Sequence, residues 1–270
     1  MKNIIYFVLS GILFFSCEKT IPLDINQTPS VYVIEGLVTN EYKKHWVKVS
    51  KTVPFNTNAS NEQVSGAEVH IEDADGQIFV LEEVGDGYYE AVEAFRGEIG
   101  QRYTLEVRHE NQVFQGSDEL RPVSPIDSLT VRLDPEEFDD PEDEGRFLEV
   151  LVYLKEPQET EDFYLVKFFR NGVLENENGD IVFVYDDVAL SGDLEALPAP
   201  GYYAISDTAR IELYSLSPFA FKHYQDLANN IGNDGGMFGG APANVRTNMS
   251  GGAVGLFQTS SIATSELLLE

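Results

Sequence analysis

Four stretches of the chain alternate apolar and polar residues. Ala67, Val69 and Ile71 face one way while Glu68, His70 and Glu72 face the other, and Tyr103, Leu105 and Val107 oppose Arg102, Thr104, Glu106 and Arg108. Leu129, Val131 and Leu133 oppose Ser128, Thr130 and Arg132, and Ala209, Ile211 and Leu213 oppose Arg210, Glu212 and Tyr214. A two-residue period gives one face to a core and one to water, which predicts antiparallel strands. Asp73-Ala74-Asp75-Gly76, Gly85-Asp86-Gly87 and Glu177-Asn178-Gly179-Asp180 supply residues that tolerate the positive φ angles of tight turns. With strands over 31–38 and 45–52, about seven precede Pro122, a count and spacing that predict a β-sandwich.

A second antiparallel β part starts near Ser124. Its runs at 146–154 and 162–169 are apolar on both faces, so they are expected to be central and covered on both sides. Further strands are expected at 181–186 and 203–215, around a Pro/Gly-rich excursion from Leu197 to Gly201. Ser217-Pro218 opens a helix over about 218–231: serine caps free amides, and proline suits the first helical position. Phe221, Tyr224, Ala228 and Ile231 then recur at helical spacing before Gly232, a stripe that predicts docking on a sheet. Eight glycines follow between Gly232 and Gly255, then a strand over Ala253 to Thr259 and an apolar end, Leu267 to Leu269.

The amino-terminal end has a different pattern. A charged start, Met1-Lys2-Asn3, leads into twelve uncharged residues, Ile4 to Phe15. A helix of that length spans about 18 Å, short of a hydrocarbon core of about 30 Å but suited to a signal-peptide core. Cys17 is the only cysteine, so an internal disulfide is impossible. Leu13-Phe14-Phe15-Ser16-Cys17 resembles a bacterial lipobox, which implies diacylglycerol transfer to the Cys17 thiol and cleavage before it. Acyl chains contribute about 0.8 kcal/mol per buried methylene, enough for stable anchoring when several are attached. The expected organisation is a signal peptide at 1–16, a tether at 17–28, a β-sandwich at 29–123 and a second β domain at 124–270.

The 270 residues include 46 Asp and Glu against 18 Lys and Arg, a formal net charge of −28. Such a surface repels phosphate backbones, which argues against nucleic-acid binding. The charge is concentrated in Asp134 to Glu144, where eight of eleven residues are acidic and two prolines forbid regular structure.

Gly66-Ala67-Glu68-Val69, Asp75-Gly76, Gly87-Tyr88-Tyr89 and Gly100-Gln101-Arg102-Tyr103-Thr104-Leu105 are similar to carboxypeptidase-regulatory and transthyretin-like, immunoglobulin-type β-sandwiches. Over its length the chain resembles an uncharacterised Bacteroidetes-type outer-membrane lipoprotein family, domain-of-unknown-function family 4249. The matching points are Cys17-Glu18, Val33-Ile34-Glu35-Gly36, Ile126-Asp127-Ser128-Leu129, Ser217-Pro218, Asn248, Gly251-Gly252-Ala253 and Gly255-Leu256-Phe257. The resemblance implies a mainly all-β, lipid-anchored protein paired with a TonB-dependent outer-membrane receptor, on either membrane face. It carries over no catalytic or ligand-binding residue.

Candidate chemistry is sparse. No Gly-x-Ser-x-Gly elbow occurs, and His109-Glu110-Asn111-Gln112-Val113 lacks the second histidine of a zinc-protease helix. His45, His70, His109 and His223 are scattered and read as ordinary surface residues rather than zinc ligands. Calcium, a ligand of oxygen clusters, would find them at Asp139, Asp140, Asp143 and Glu144 or at Glu175, Glu177 and Asp180, although neither set has EF-hand spacing. The leading expectation is a non-enzymatic accessory or ligand-capture subunit without a cofactor, whose ligand is a small molecule, peptide or glycan. A surface hydrolase acting on glycan or peptide and a calcium-dependent adhesin are the alternatives, since a Ser-His-Asp triad is set by geometry and not spacing.

Overall fold

The computed structural model describes residues 29–53, 60–134, 145–155, 160–175, 183–186, 193–231 and 244–270. The first eight strands are β1 (Tyr32–Thr39), β2 (Trp46–Lys51), β3 (Glu62–Gln63), β4 (Glu68–Asp73), β5 (Ile78–Gly85), β6 (Tyr88–Ala91), β7 (Arg102–His109) and β8 (Gln112–Glu119). The next seven are β9 (Ile126–Leu133), β10 (Leu148–Lys155), β11 (Phe163–Arg170), β12 (Val173–Leu174), β13 (Phe183–Asp186), β14 (Asp193–Pro198) and β15 (Thr208–Ser215). Helix α1 (Pro218–Ile231), β16 (Phe257–Ser260) and β17 (Ile262–Leu268) complete the chain. The protein is mainly β, with one helix among the described residues.

The first unit is one sheet folded on itself, in the order β16-β1-β2-β6-β5-β4-β7-β8, with β3 beside β2. The alternation seen in the sequence explains the fold-over. Ile34, Val47, Val49, Val69, Ile71, Leu105 and Val107 all point inward from opposite halves and share one core with Tyr89 and Phe114. Tyr89 closes the motif around Gly66-Ala67: its hydroxyl donates to the Val64 carbonyl at 2.9 Å and accepts the Ala67 amide at 3.0 Å. Asp73 accepts the amides of Asp75 and Gln77, fixing the turn before β5, where Gly76 adopts φ +84°.

In the second unit the sheet β14-β10-β9 packs on the sheet β12-β11-β15-β17, in which β13 also pairs with β11. Val150, Val152 and Leu154 meet Val166, Phe168, Ala209, Ile211 and Leu213 between the two sheets. The other face of β11 is also covered, as its two-sided apolar pattern requires: Phe163 stacks on Phe221 of α1 with ring centroids 4.6 Å apart. The expected cap is in place, with the Ala220 amide donating to Ser217 Oγ at 3.1 Å.

Three features depart from the sequence reading. β14 runs two residues into the Leu197–Gly201 stretch expected to be irregular, because Pro198 ends an edge strand and its missing N–H breaks no ladder there. On β9 only Ile126 and Leu129 reach the core, whereas Val131 and Leu133 are exposed. Most consequential, 244–260 was assigned to the second part, yet β16 runs parallel to β1 in the first sheet, Gly36 opposite Phe257 and Thr39 opposite Ser260.

Candidate functional site

Two places concentrate chemistry: a polar seam joining the units and an open groove on the first sheet. In the seam, Ile34 N–H donates to Val254 O at 2.9 Å and Gly36 N–H to Leu256 O at 3.0 Å. Toward β8 the ladder is replaced by side chains. Asn248 Nδ2 donates to the carbonyls of Ser117 and Phe257 at 3.2 and 2.7 Å, and its Oδ1 accepts the Phe257 amide at 3.0 Å. Asp118, buried on β8, accepts the Thr259 amide at 2.9 Å, and burial raises its carboxyl above the ordinary range. Two glycines are obligatory here. Gly251 (φ +70°) and Gly255 (φ +109°) would place a Cβ 2.6 Å from the Val113 carbonyl oxygen and 2.1 Å from that of Ile34.

From Ser260 the chain passes into β17 and so into the second unit. Ser260 Oγ donates to Ser215 O at 2.7 Å, and Ser215 Oγ accepts the Ser261 amide at 2.9 Å while donating to Arg121 O at 2.7 Å. Both crossings between the units therefore converge on Ser215. Thr39, Asp118, Ser217, Gln258, Thr259, Ser260 and Ser261 are buried around them. A buried seam of this kind favours one arrangement of the units, although Thr259 Oγ1 and Ser261 Oγ have no hydrogen-bond partner among the described residues.

The groove, about 460 Å³, opens on the outer face of β4 and β5 and is lined by Glu68, His70, Ile78, Val80, Glu82 and Glu83, among others. That volume lies within the range of small-ligand sites. Ile78 and Val80 are 57% and 54% exposed, although both are β-branched strand residues. His70 stands opposite Val80, and its Nε2 is 3.9 Å from Glu106 Oε1. Glu106 also accepts Gln115 Nε2 at 2.7 Å and Arg108 Nε at 2.6 Å, and these bonds hold its carboxyl below the ordinary range. At the opposite rim Glu83 accepts the Gly66 amide at 2.9 Å, which lowers its carboxyl as well. The groove was missed in the sequence. Its signal is Ile78-Phe79-Val80-Leu81, four apolar residues in a strand whose sheet buries only one face.

Cys17, Asp139, Asp140, Asp143, Glu144, Glu177 and Asp180 lie outside the described residues, as does the tether. Glu175 pairs with Arg170 at 2.9 Å. Among the described residues no three His, Cys, Asp or Glu side chains gather as a metal site. His45, expected at the surface, is fully buried: its Nε2 donates to the Phe95 carbonyl at 3.1 Å, and burial pushes its pKa down to about 4. His109 Nδ1 meets the Tyr32 hydroxyl at 2.8 Å, and His223 Nδ1 donates to the Arg246 carbonyl at 2.6 Å. The partners of the four histidines are thus two carbonyls, a phenol and a carboxylate.

Fold and site together define a tandem β-sandwich-like protein with an open groove on its first sheet and a buried polar seam between its units. The chain belongs to the DUF4249 family, a domain of unknown function whose pattern matches residues 18–266. Among solved structures it is similar to a DUF4785 family protein from Legionella pneumophila, at 10% identity and a TM-score of 0.24, covering 70% of this chain and 53% of that one. The chain thus spans about half the length of the Legionella protein. It is also similar to a two fibronectin type-III domain segment from chicken tenascin, at 11% identity and a TM-score of 0.21, covering 69% of this chain and 90% of that one. No curated protein is a detectable sequence relative.

Proposed function

We propose that this protein is a non-enzymatic outer-membrane lipoprotein that captures a ligand beside a TonB-dependent receptor. Acylation of Cys17 would restrict it to the membrane, residues 17–28 would give it reach, and the fused β units would present a binding face at fixed orientation. The observation that carries the binding role is the open groove, in which exposed Ile78 and Val80 lie between charged walls. Contiguous exposed apolar surface of this kind marks interaction sites. No helix among the described residues is long and apolar enough to cross a membrane.

Detergent pull-down of the native protein tests the reading. Co-recovery of an outer-membrane barrel is the expected result, and recovery without any barrel overturns the partnership. Mass spectrometry of the mature amino terminus checks the anchor, with a bare Cys17 sulfur as the contrary outcome. Turnover of a glycan or peptide panel would favour the hydrolase alternative, and a melting temperature that falls with chelator would favour the adhesin.

A further inference from the structure

We infer that the groove over β4 and β5 takes an extended cationic peptide whose lysine or arginine residues alternate with apolar ones. The inference deepens the capture reading and rests on it for its biological sense. The floor comes first. Ile78, Val80 and Glu82 point outward from one strand at every second position, so their side chains repeat about every 6.6–6.8 Å. An extended peptide laid along β5 repeats its own alternate side chains at that spacing. Its apolar side chains would lie over Ile78 and Val80, and the long cationic side chains between them would reach Glu82 and the carboxylates at the rim.

The walls decide the sign of the partner. Glu82 stands directly opposite Glu90 across the β5–β6 pair, an arrangement of like charges that costs stability. Among the described residues no cation forms an ion pair with either carboxylate. Glu68 and Glu83 add two more carboxylates at the rim. Arg108 is opposite Glu68 in register but is held by Glu106. The groove therefore presents apolar surface framed by uncompensated negative charge, in a chain whose formal net charge of −28 already repels anions. β5 pairs with β4 over Ile78–Leu81 and with β6 over Leu81–Gly85, and the Val92 amide donates to the Val80 carbonyl at 3.0 Å, so a peptide lying on its outer face is read through side chains.

The test uses the full-length chain in detergent and fluorescence anisotropy with a labelled synthetic peptide alternating lysine and valine. Saturable one-site binding is expected, at least about ten-fold tighter than that of a peptide alternating lysine and serine, and absent for one alternating glutamate and valine. The double variant Val80→Lys, Glu82→Lys should weaken binding at least about ten-fold, whereas Asp127→Lys on β9 should change it less than about two-fold. Circular dichroism checks that the variants fold; should the double variant unfold, the lysine–valine and lysine–serine comparison on the native chain decides alone. Lack of saturation, equal affinity for the lysine–serine peptide, or an equal effect of Asp127→Lys overturns the inference. Such a failure leaves co-recovery of a barrel unaffected, so the two readings fall separately.

Discussion

At the scale of single residues, burial of ionisable groups sets how this protein responds to acid. His45 is enclosed by Phe95, with ring centroids 4.5 Å apart, and burial is the main cause that lowers its pKa from 6.5 to about 4, with Lys43 adding to it. The native ring therefore stays neutral until pH approaches 4, while the unfolded chain takes up a proton near 6.5. Stability present at neutral pH is lost as pH falls through that window, by about 3 kcal/mol at its lower end. Asp118 acts in the opposite sense. Its raised pKa means that the native state gains on acidification toward 3.8, so the two groups partly offset each other. His45→Gln should flatten the fall of stability between pH 7 and 4, as read from urea denaturation at stepped pH; a slope equal to that of the native protein would refute the assignment. Nothing in Lys43-Lys44-His45-Trp46 announces this burial, because the enclosing groups arrive from β6 and the bridge at Phe95.

At the scale of elements, local signals predicted structure well wherever the contacts that decide it are local. The alternations at β4, β7 and β15 put Ile71, Leu105 and Ile211 at zero exposure, and Ser217-Pro218 opens α1 where capping chemistry requires. Ser217 is more than a cap, because its hydroxyl also bonds the Asp118 carboxyl and so ties the helix to β8. Ser217→Ala removes both interactions and should cost about 1–2 kcal/mol, measured by chemical denaturation, with Ser217→Thr recovering most of it. β14 and the exposed end of β9 were not legible. Pro198 reads locally as a turn residue, and its place in a strand follows only from being at an edge. Val131 and Leu133 have the right period for a core, but periodicity says nothing of where the opposing sheet ends. The groove was hidden differently: an apolar residue on a strand is read as core by default, and only the sheet's topology reveals that Ile78 and Val80 face outward.

At the scale of the whole molecule, the decisive contact joins segments more than two hundred residues apart. Val33-Ile34-Glu35-Gly36 and Gly255-Leu256-Phe257 each support the family resemblance as isolated motifs, yet in the structure they are the two sides of one ladder. No local pattern discloses such a pairing, which is why the sequence divided at residue 124 while the sheets do not. The returning segment fills the first core with Met249, Ala253 and Phe257 and covers the edges of both β1 and β8. Burial of the Met and Phe side chains alone contributes about 3–6 kcal/mol, comparable with the whole stability of many domains. A fragment of residues 29–123 would also expose two unpaired edges, a template for aggregation. That fragment should therefore lack a cooperative melt on its own and gain one when a peptide of residues 244–261 is added, with amplitude that saturates in peptide concentration. The same peptide carrying Gly255→Ala should fail, because its Cβ would sit 2.1 Å from the Ile34 carbonyl oxygen. A monomeric 29–123 fragment with a sharp transition and no response to peptide would mean that the carboxy-terminal segment merely decorates a finished sandwich. The groove would then belong to an autonomous domain, and the seam around Ser215 would serve as a hinge rather than a weld.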